Sequence, residues 1–206
     1  MSMNNVKNYK YFGLFLFAFA VFTMLAIPEQ VKAASGEKLD FSLNDQDGKV
    51  VNLSDLQGKI VVLEWLNPDC PFTKRHYAPE AQTVVKLVDQ YKDKNVVILS
   101  INSTNYFDQA KNKAWHDQLK LKHKILDDHD GKVGKLFKAR STPHIFIIDT
   151  AGKLAYQGAI DNDSYGDKAK GDVVNYVNVV VDELLAGKKP SVAETTPYGC
   201  SVKYAK

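Results

Sequence analysis

The sequence is poor in cysteine: among its 206 residues, only Cys70 and Cys200 carry a thiol. Two thiols are too few for a small fold stapled by disulfides, and too few for a zinc site of four thiolates. The net charge of +3 is small and the lysines are scattered, which excludes a typical nucleic-acid binder. With 45% hydrophobic and 25% charged residues, the composition is that of a soluble globular domain.

The amino terminus has the pattern of a targeting segment. Two lysines precede an apolar run at residues 11–27, and Val31 and Ala33 place small residues before a cleavage site. We therefore predict a signal peptide over residues 1–33 and a periplasmic or secreted protein, in a compartment where disulfides can form. An uncleaved membrane anchor formed by residues 11–27 is the alternative.

Beyond this segment, strand and helix patterns alternate. Near-continuous apolar runs at residues 60–66 and 95–101 are typical of strands buried on both faces. Turn residues at Asp47-Gly48 and Ala151-Gly152 predict hairpins, the first of which extends the domain at its amino-terminal end. Helical spacing predicts three helices: residues 81–91 after a kink or restart at Pro79, residues 108–121, and residues 173–185 between a cap at Asp172 and a stop at Gly187. This order predicts an α/β domain over residues 34–189 and an irregular tail over residues 190–206.

Cys70 lies where the first buried strand ends and a helix begins. Pro71 suits the first helical turn, which places Cys70 at or beside the helix N-terminus. The helix dipole and free backbone N–H groups there favour a thiolate, and Lys74 and Arg75 in the next turn act in the same direction. A thiolate is the nucleophile for both disulfide exchange and peroxide reduction. The alternative is a buried, inert cysteine.

Five segments together resemble one known family. They are residues 41–48, 58–63, 67–72, 141–149 and the ending at 198–204. The chain from about residue 37 onward is similar to the redoxin branch of the thioredoxin superfamily, the peroxiredoxin-like proteins related to alkyl hydroperoxide reductase and thiol-specific antioxidant. The resemblance implies a thioredoxin-like fold and a nucleophilic Cys70 that acts on disulfides or peroxides. It also implies electrons from a partner thiol protein, without a metal or organic cofactor, and a cis peptide bond between Thr142 and Pro143 beside Cys70.

The departures from the family's patterns bear on the reaction. Thioredoxins use a Cys-x-x-Cys motif, but here Thr73 stands at the position of the second cysteine. In peroxiredoxins the residue three positions before the cysteine is a threonine that orients the peroxide. Here that residue is Asn67, so the inference of peroxidase activity is weaker, but this activity is not excluded. Lys74 replaces the second cysteine of the superfamily's copper chaperones, so copper delivery is not expected. Arg75 and Arg140 are the only arginines, and either could supply a guanidinium to the site.

Cys200 leaves three alternatives open. It can be a resolving cysteine that attacks oxidised Cys70, half of a permanent structural disulfide, or a partner in pairing between chains. For the first, the tail has to fold back over the site, with Tyr198 and Val202 packing there, and the bridge to Cys70 would be its main tether.

Other polar clusters are given structural interpretations. Residues 161–172 begin like a calcium loop but lack its later ligands, so a polar surface turn is expected. Residues 127–130 are expected to form a solvated loop, and His144 a packed strand residue. The sequence as a whole predicts an exported thiol oxidoreductase that uses Cys70 and Cys200. A non-catalytic, partner-binding module on the same fold is the alternative.

Overall fold

The computed structural model describes residues 39–206. The predicted signal peptide and its alternative as an anchor lie outside the described residues. Within residues 39–206, no helix is both long and apolar enough to cross a membrane.

The centre of the molecule is a mixed seven-stranded sheet in the order β2-β1-β5-β4-β3-β7-β8. Its strands are β1 (Ser42–Asp45), β2 (Val50–Asn52), β3 (Ile60–Trp65), β4 (Val96–Asn102), β5 (Lys124–Asp127), β7 (His144–Ile148) and β8 (Leu154–Gly158). Strands β3, β4 and β5 run parallel, whereas β7 pairs antiparallel with both β3 and β8. Two short strands, β6 (Ser141–Thr142) and β9 (Cys200–Ser201), pair separately. The α/β class, both hairpins and the buried central strands are confirmed.

Helices cover both faces of this sheet. They are α1 (Pro71–Tyr77), α2 (Thr83–Tyr91), α3 (Gln109–Leu119), α4 (Lys132–Phe137) and α5 (Tyr176–Leu185). All six residues of β3 are buried, and alternate side chains enter two apolar clusters: Val61, Leu63 and Trp65 enter one, while Ile60 and Val62 enter the other. This alternation follows from the two-residue period of a strand. It places Glu64 on the face of Ile60 and Val62.

Three local predictions can now be judged. The helix does restart around Pro79, ending at Tyr77 and resuming at Thr83. The predicted cap at Asp172 is wrong. The backbone is extended at Val173 and still at Asn175, so α5 begins later, and the Asn175 side chain accepts the backbone N–H of Asn178 at 3.0 Å. Residues 127–130 are not simply a solvated loop.

The part of that loop that is buried is Asp128, which is 1% exposed. Its carboxylate accepts the backbone N–H groups of Val133 at 3.0 Å and Gly134 at 2.8 Å. It therefore satisfies the free donors at the start of α4, a six-residue helix too short to give a readable period in the sequence.

Candidate active site

Cys70 occupies the N-cap position of α1, where its side chain makes no capping hydrogen bond. Its backbone is extended (φ −73°, ψ 124°), and Pro71 occupies the first helical position, as predicted. The thiol is 2% exposed, and its sulfur lies 2.9 Å from the carbonyl oxygen of Thr142. The Thr142–Pro143 bond is cis, as the resemblance implied. Cys70 and this loop therefore meet at the carboxyl end of β3, although they are far apart in the chain.

Cys200 lies against the same loop. The strand β9 pairs antiparallel with β6, and this register sets Cys200 directly opposite Thr142. The thiols of Cys70 and Cys200 lie close enough that each shifts the pKa of the other. The structure thus brings the chain's two cysteines together within one molecule.

The surroundings of the two thiols push their pKa values apart. Burial raises the pKa of Cys70 and its contact with the Thr142 carbonyl favours the thiol. The Cys200 thiol, the Thr142 side chain and the backbones of Thr73 and Cys200 favour the thiolate more strongly and hold that pKa below its ordinary value. Burial and the neighbouring Cys70 raise the pKa of Cys200 to about 11. Cys70 therefore ionises to a thiolate at lower pH than Cys200 does.

Tyr198 fixes the tail just before Cys200. Its hydroxyl donates to the buried Asp161 carboxylate at 2.5 Å and lies 3.0 Å from Nε2 of His76. Its ring lies 5.5 Å from the Arg75 guanidinium carbon and 6.0 Å from the centroid of Phe72 on α1. We call this contact set the Tyr198 latch.

The tail has an anchor on each side of this latch. Upstream, the N–H of Thr195 donates to the carbonyl of Gln157 at 3.1 Å, along the outer edge of β8. Downstream, the Tyr204 hydroxyl donates to the carbonyl of Ala139 at 2.8 Å. The tail does fold back over Cys70, but the expectation that a disulfide would be its main tether is wrong, because these contacts hold it while both cysteines are free thiols.

The two arginines have different places. Arg75 donates to the backbone carbonyls of Asp163 at 2.7 Å and Ser164 at 2.9 Å, so its guanidinium ties α1 to the loop at residues 161–167. Arg140 is exposed. Among residues 39–206, neither guanidinium hydrogen-bonds to a cysteine sulfur. Arg75 instead donates to the Tyr198 hydroxyl at 3.2 Å and so holds the residue that latches the tail.

A family comparison decides the chain's affiliation. Residues 36–157, more than half of the chain, match the model of the AhpC/TSA family. The chain belongs to the AhpC/TSA family. It is 29% identical over 142 residues to a putative peroxiredoxin bcp of Helicobacter pylori, a match covering 64% of this chain and 87% of that protein. It is 28% identical over 118 residues to the thiol-disulfide oxidoreductase ResA of Bacillus thuringiensis, covering 57% and 65%.

Solved structures share the fold of this AhpC/TSA member. An uncharacterized conserved protein from Geobacillus kaustophilus superposes with a TM-score of 0.72 at 27% identity, covering 82% of this chain and 92% of that one. A putative thioredoxin from Neisseria meningitidis superposes with a TM-score of 0.50 at 26% identity, covering 57% and 75%. The fold is thioredoxin-like, and the family is one of thiol oxidoreductases and thiol peroxidases.

Asn67 stands at the position of the peroxide-orienting threonine, and most of its hydrogen bonds are made within the loop that precedes Cys70. Its Oδ1 accepts the N–H of Asp69 at 2.9 Å, and its carbonyl accepts the N–H of Cys70 at 2.9 Å. Its Nδ2 donates to the Tyr106 hydroxyl at 3.4 Å. Asn67 therefore shapes the turn that presents Cys70, and its amide still has a second N–H with which to meet a ligand.

A buried polar cluster beneath α1 was not predicted from the sequence. Glu64, 1% exposed, accepts hydrogen bonds from Tyr77 at 2.6 Å and from Ser100 at 2.8 Å. His123 Nε2 lies 3.0 Å from the Ser100 hydroxyl. Burial raises the pKa of Glu64 to about 7 despite these two donors. A lone glutamate inside the apolar run at 60–66 is the signal that could have revealed it.

The remaining polar candidates are structural. His144 is buried in β7 as predicted, and its Nδ1 accepts the N–H of Arg140 at 3.2 Å. In the loop at 161–167, Asp163 accepts the N–H groups of Gly166 at 2.9 Å and Asp167 at 3.1 Å, so this carboxylate organises a turn. Across residues 39–206, no cluster of three or more His, Cys, Asp or Glu could hold a metal ion.

Proposed function

We propose that this protein is an exported thiol oxidoreductase that cycles between two thiols and a Cys70–Cys200 disulfide within one chain. The observation that supports it is that the β6–β9 pairing sets Cys200 opposite Thr142, whose carbonyl oxygen lies 2.9 Å from the Cys70 sulfur. A disulfide needs its two Cβ atoms close together, and the contact of both cysteines with Thr142 favours that closeness.

The oxidative half begins at Cys70. With a peroxide, the Cys70 thiolate attacks one oxygen, the O–O bond breaks, and a sulfenic acid forms as the other oxygen leaves as an alcohol or water. With a disulfide, the thiolate displaces one sulfur and forms a mixed disulfide. In either case Cys200 then attacks the Cys70 sulfur, which closes the intramolecular disulfide and releases water or the second substrate thiol.

The reductive half begins at Cys200. Cys70 is 2% exposed, whereas Cys200 is partly exposed, so a reductant thiolate reaches Cys200 first. Attack there expels Cys70, whose lowered pKa makes it the better leaving thiolate. The resulting mixed disulfide on Cys200 is released by a second thiol of the reductant. A partner dithiol protein fits this sequence, and both electrons enter through the tail.

The experiment treats reduced protein with one equivalent of hydrogen peroxide, or of glutathione disulfide, and maps the product by peptide mass. We expect a monomer containing a Cys70–Cys200 peptide, and none from Cys200→Ser. A disulfide-linked dimer would mean pairing between chains. A bridge already present in the isolated protein that resists reduction until unfolding would mean a structural disulfide. Either result overturns the proposed cycle, and so does a Cys70 that alkylates no faster than a free peptide thiol.

Export is the second element of the proposal, and it is supported by the apolar run and small residues of the amino terminus. Amino-terminal sequencing of the protein recovered outside the cytoplasm tests it. We expect a chain that starts near Ala34. An intact amino terminus in the membrane fraction would instead support an anchor formed by residues 11–27.

A further inference from the structure

The tail occupies the space through which a protein substrate would approach Cys70. The strand β9 uses the backbone of β6, so the chain edge beside the nucleophile is already paired. At Gly199, where φ is +131°, a Cβ would collide with the Thr142 carbonyl oxygen. With 2% of Cys70 exposed, a disulfide carried on a folded partner has no room beside the sulfur. Hydrogen peroxide, with two heavy atoms, needs no backbone space.

The contact nearest to Cys200 among those that keep the tail in this position, besides the β6–β9 pairing, is the Tyr198 latch. Asp161, the acceptor of the Tyr198 hydroxyl, is 6% exposed and also accepts the N–H of Asp163 at 2.9 Å. One hydrogen bond of this carboxylate therefore does not depend on the tail. A hydrogen bond to a buried charged group is among the stronger ones, and Arg75 adds a cation–π contact to the same ring.

From this geometry we propose that the docked tail restricts Cys70 to small oxidants, with Tyr198 as the specificity-determining residue. The inference rests on the proposed function and narrows its substrate class to hydrogen peroxide and comparably small oxidants. Bulky hydroperoxides and protein disulfides react only after the tail has undocked.

This arrangement makes the oxidation rate of Cys70 depend differently on tail docking for bulky and for small oxidants. A bulky oxidant reacts from the undocked minority, so its rate scales with the population of that state. A small oxidant reacts with the docked majority, so its rate is insensitive to a modest loss of docking free energy. The ratio of the two rates therefore measures docking, independently of the intrinsic reactivity of Cys70.

The experiment compares hydrogen peroxide with cumene hydroperoxide, which share one chemistry and differ in size, by stopped-flow oxidation of the full chain. Tyr198→Phe removes the latch hydroxyl and keeps the ring, and Tyr198→Ala removes both. We expect the cumene-to-hydrogen-peroxide rate ratio to rise about tenfold in the first variant and further in the second. Tyr165→Ala is the matched control, because Tyr165 is 85% exposed.

A second readout separates this inference from the proposed function. In a Cys200→Ser background, Cys70 is the only thiol, and its alkylation by N-ethylmaleimide is compared with that by a polyethylene-glycol maleimide. The latch variants should accelerate the large maleimide selectively, even if no oxidant reacts; that result would support tail gating while overturning the proposed redox cycle. Equal acceleration of both reagents, or of neither, in variants that melt like the parent would overturn the gating.

Discussion

Cys200 lies directly opposite Thr142 in an antiparallel pair, and Thr142 is the residue whose carbonyl oxygen contacts the thiol of Cys70. One residue of the cis-proline loop thus touches both cysteines, one through its backbone pairing and the other through its carbonyl. The second cysteine of this AhpC/TSA member is supplied by the tail, from 130 positions downstream of Cys70.

Replacing Cys200 by serine should separate the first oxidation from turnover. Cys70 remains at the helix N-terminus, so Cys200→Ser should consume one equivalent of oxidant and then stop, unless a small external thiol resolves the product. Rapid-quench stoichiometry measures this. Ser201→Ala, in the exposed neighbouring position, is the control and should cycle normally. Sustained turnover of Cys200→Ser with the protein reductant alone would show that Cys200 is not the resolver.

Removing the Cys200 thiol should also raise the pKa of Cys70. The thiolate loses a hydrogen-bond donor while the burial that opposes its charge remains, so the charged form becomes less favourable in Cys200→Ala. The rate of alkylation by iodoacetamide against pH should shift to higher pH, and the thiolate fraction at neutral pH should fall. An unchanged profile would mean that the thiol contact does not set this pKa.

Glu64 should impose a pH dependence on stability. Its pKa is raised from 4.5 to about 7 in the fold, so the folded state binds the extra proton between those values. This contribution is fully present below pH 4.5 and is lost as the pH rises through 7. The wild-type free energy of unfolding, minus that of Glu64→Gln, should therefore fall by about 3 kcal/mol across the window.

The difference between the two proteins is the quantity to measure in that experiment. Burial lowers the pKa values of His76, His123 and His144 to about 4, so these histidines make stability rise with pH over an overlapping range. When urea denaturation of both proteins is measured at matched pH values, the histidine contribution to the free energy of unfolding cancels in the difference. A difference that rises or stays flat would contradict a raised Glu64 pKa.

Gly199→Ala should undock the end of the tail. The new Cβ would meet the Thr142 carbonyl oxygen, and φ at this position is +131°, which side chains rarely adopt. We expect closure of the Cys70–Cys200 disulfide to slow by about tenfold or more, since about 1.4 kcal/mol of lost docking suffices for that factor. Gly171→Ala, with nothing within 4 Å of its Cβ, is the control. Unchanged closure in Gly199→Ala would argue against the β6–β9 pairing.

The sequence alone determined the features that local chemistry controls. The apolar run at 60–66 is a strand because continuous burial on both faces is encoded in consecutive residues. Cys70 begins a helix because Pro71 is compatible only with its first turn. The cis bond at Pro143, by contrast, was anticipated only through the family resemblance.

Tertiary structure decided what depends on contacts between distant segments. The resolving role of Cys200 required the tail to fold back over Cys70, but the sequence did not indicate its anchors along β8 and beside Arg75. These anchors are single contacts to residues 37 to 123 positions away, without a repeating pattern. Arg75 is adjacent to the Cys70 motif in sequence. The loop at 161–167 nevertheless provides hydrogen-bond acceptors for its guanidinium, which contacts Tyr198 and makes no hydrogen bond to the Cys70 sulfur. The pKa values of Glu64 and the two cysteines likewise follow from burial and from partners that only the folded chain brings together.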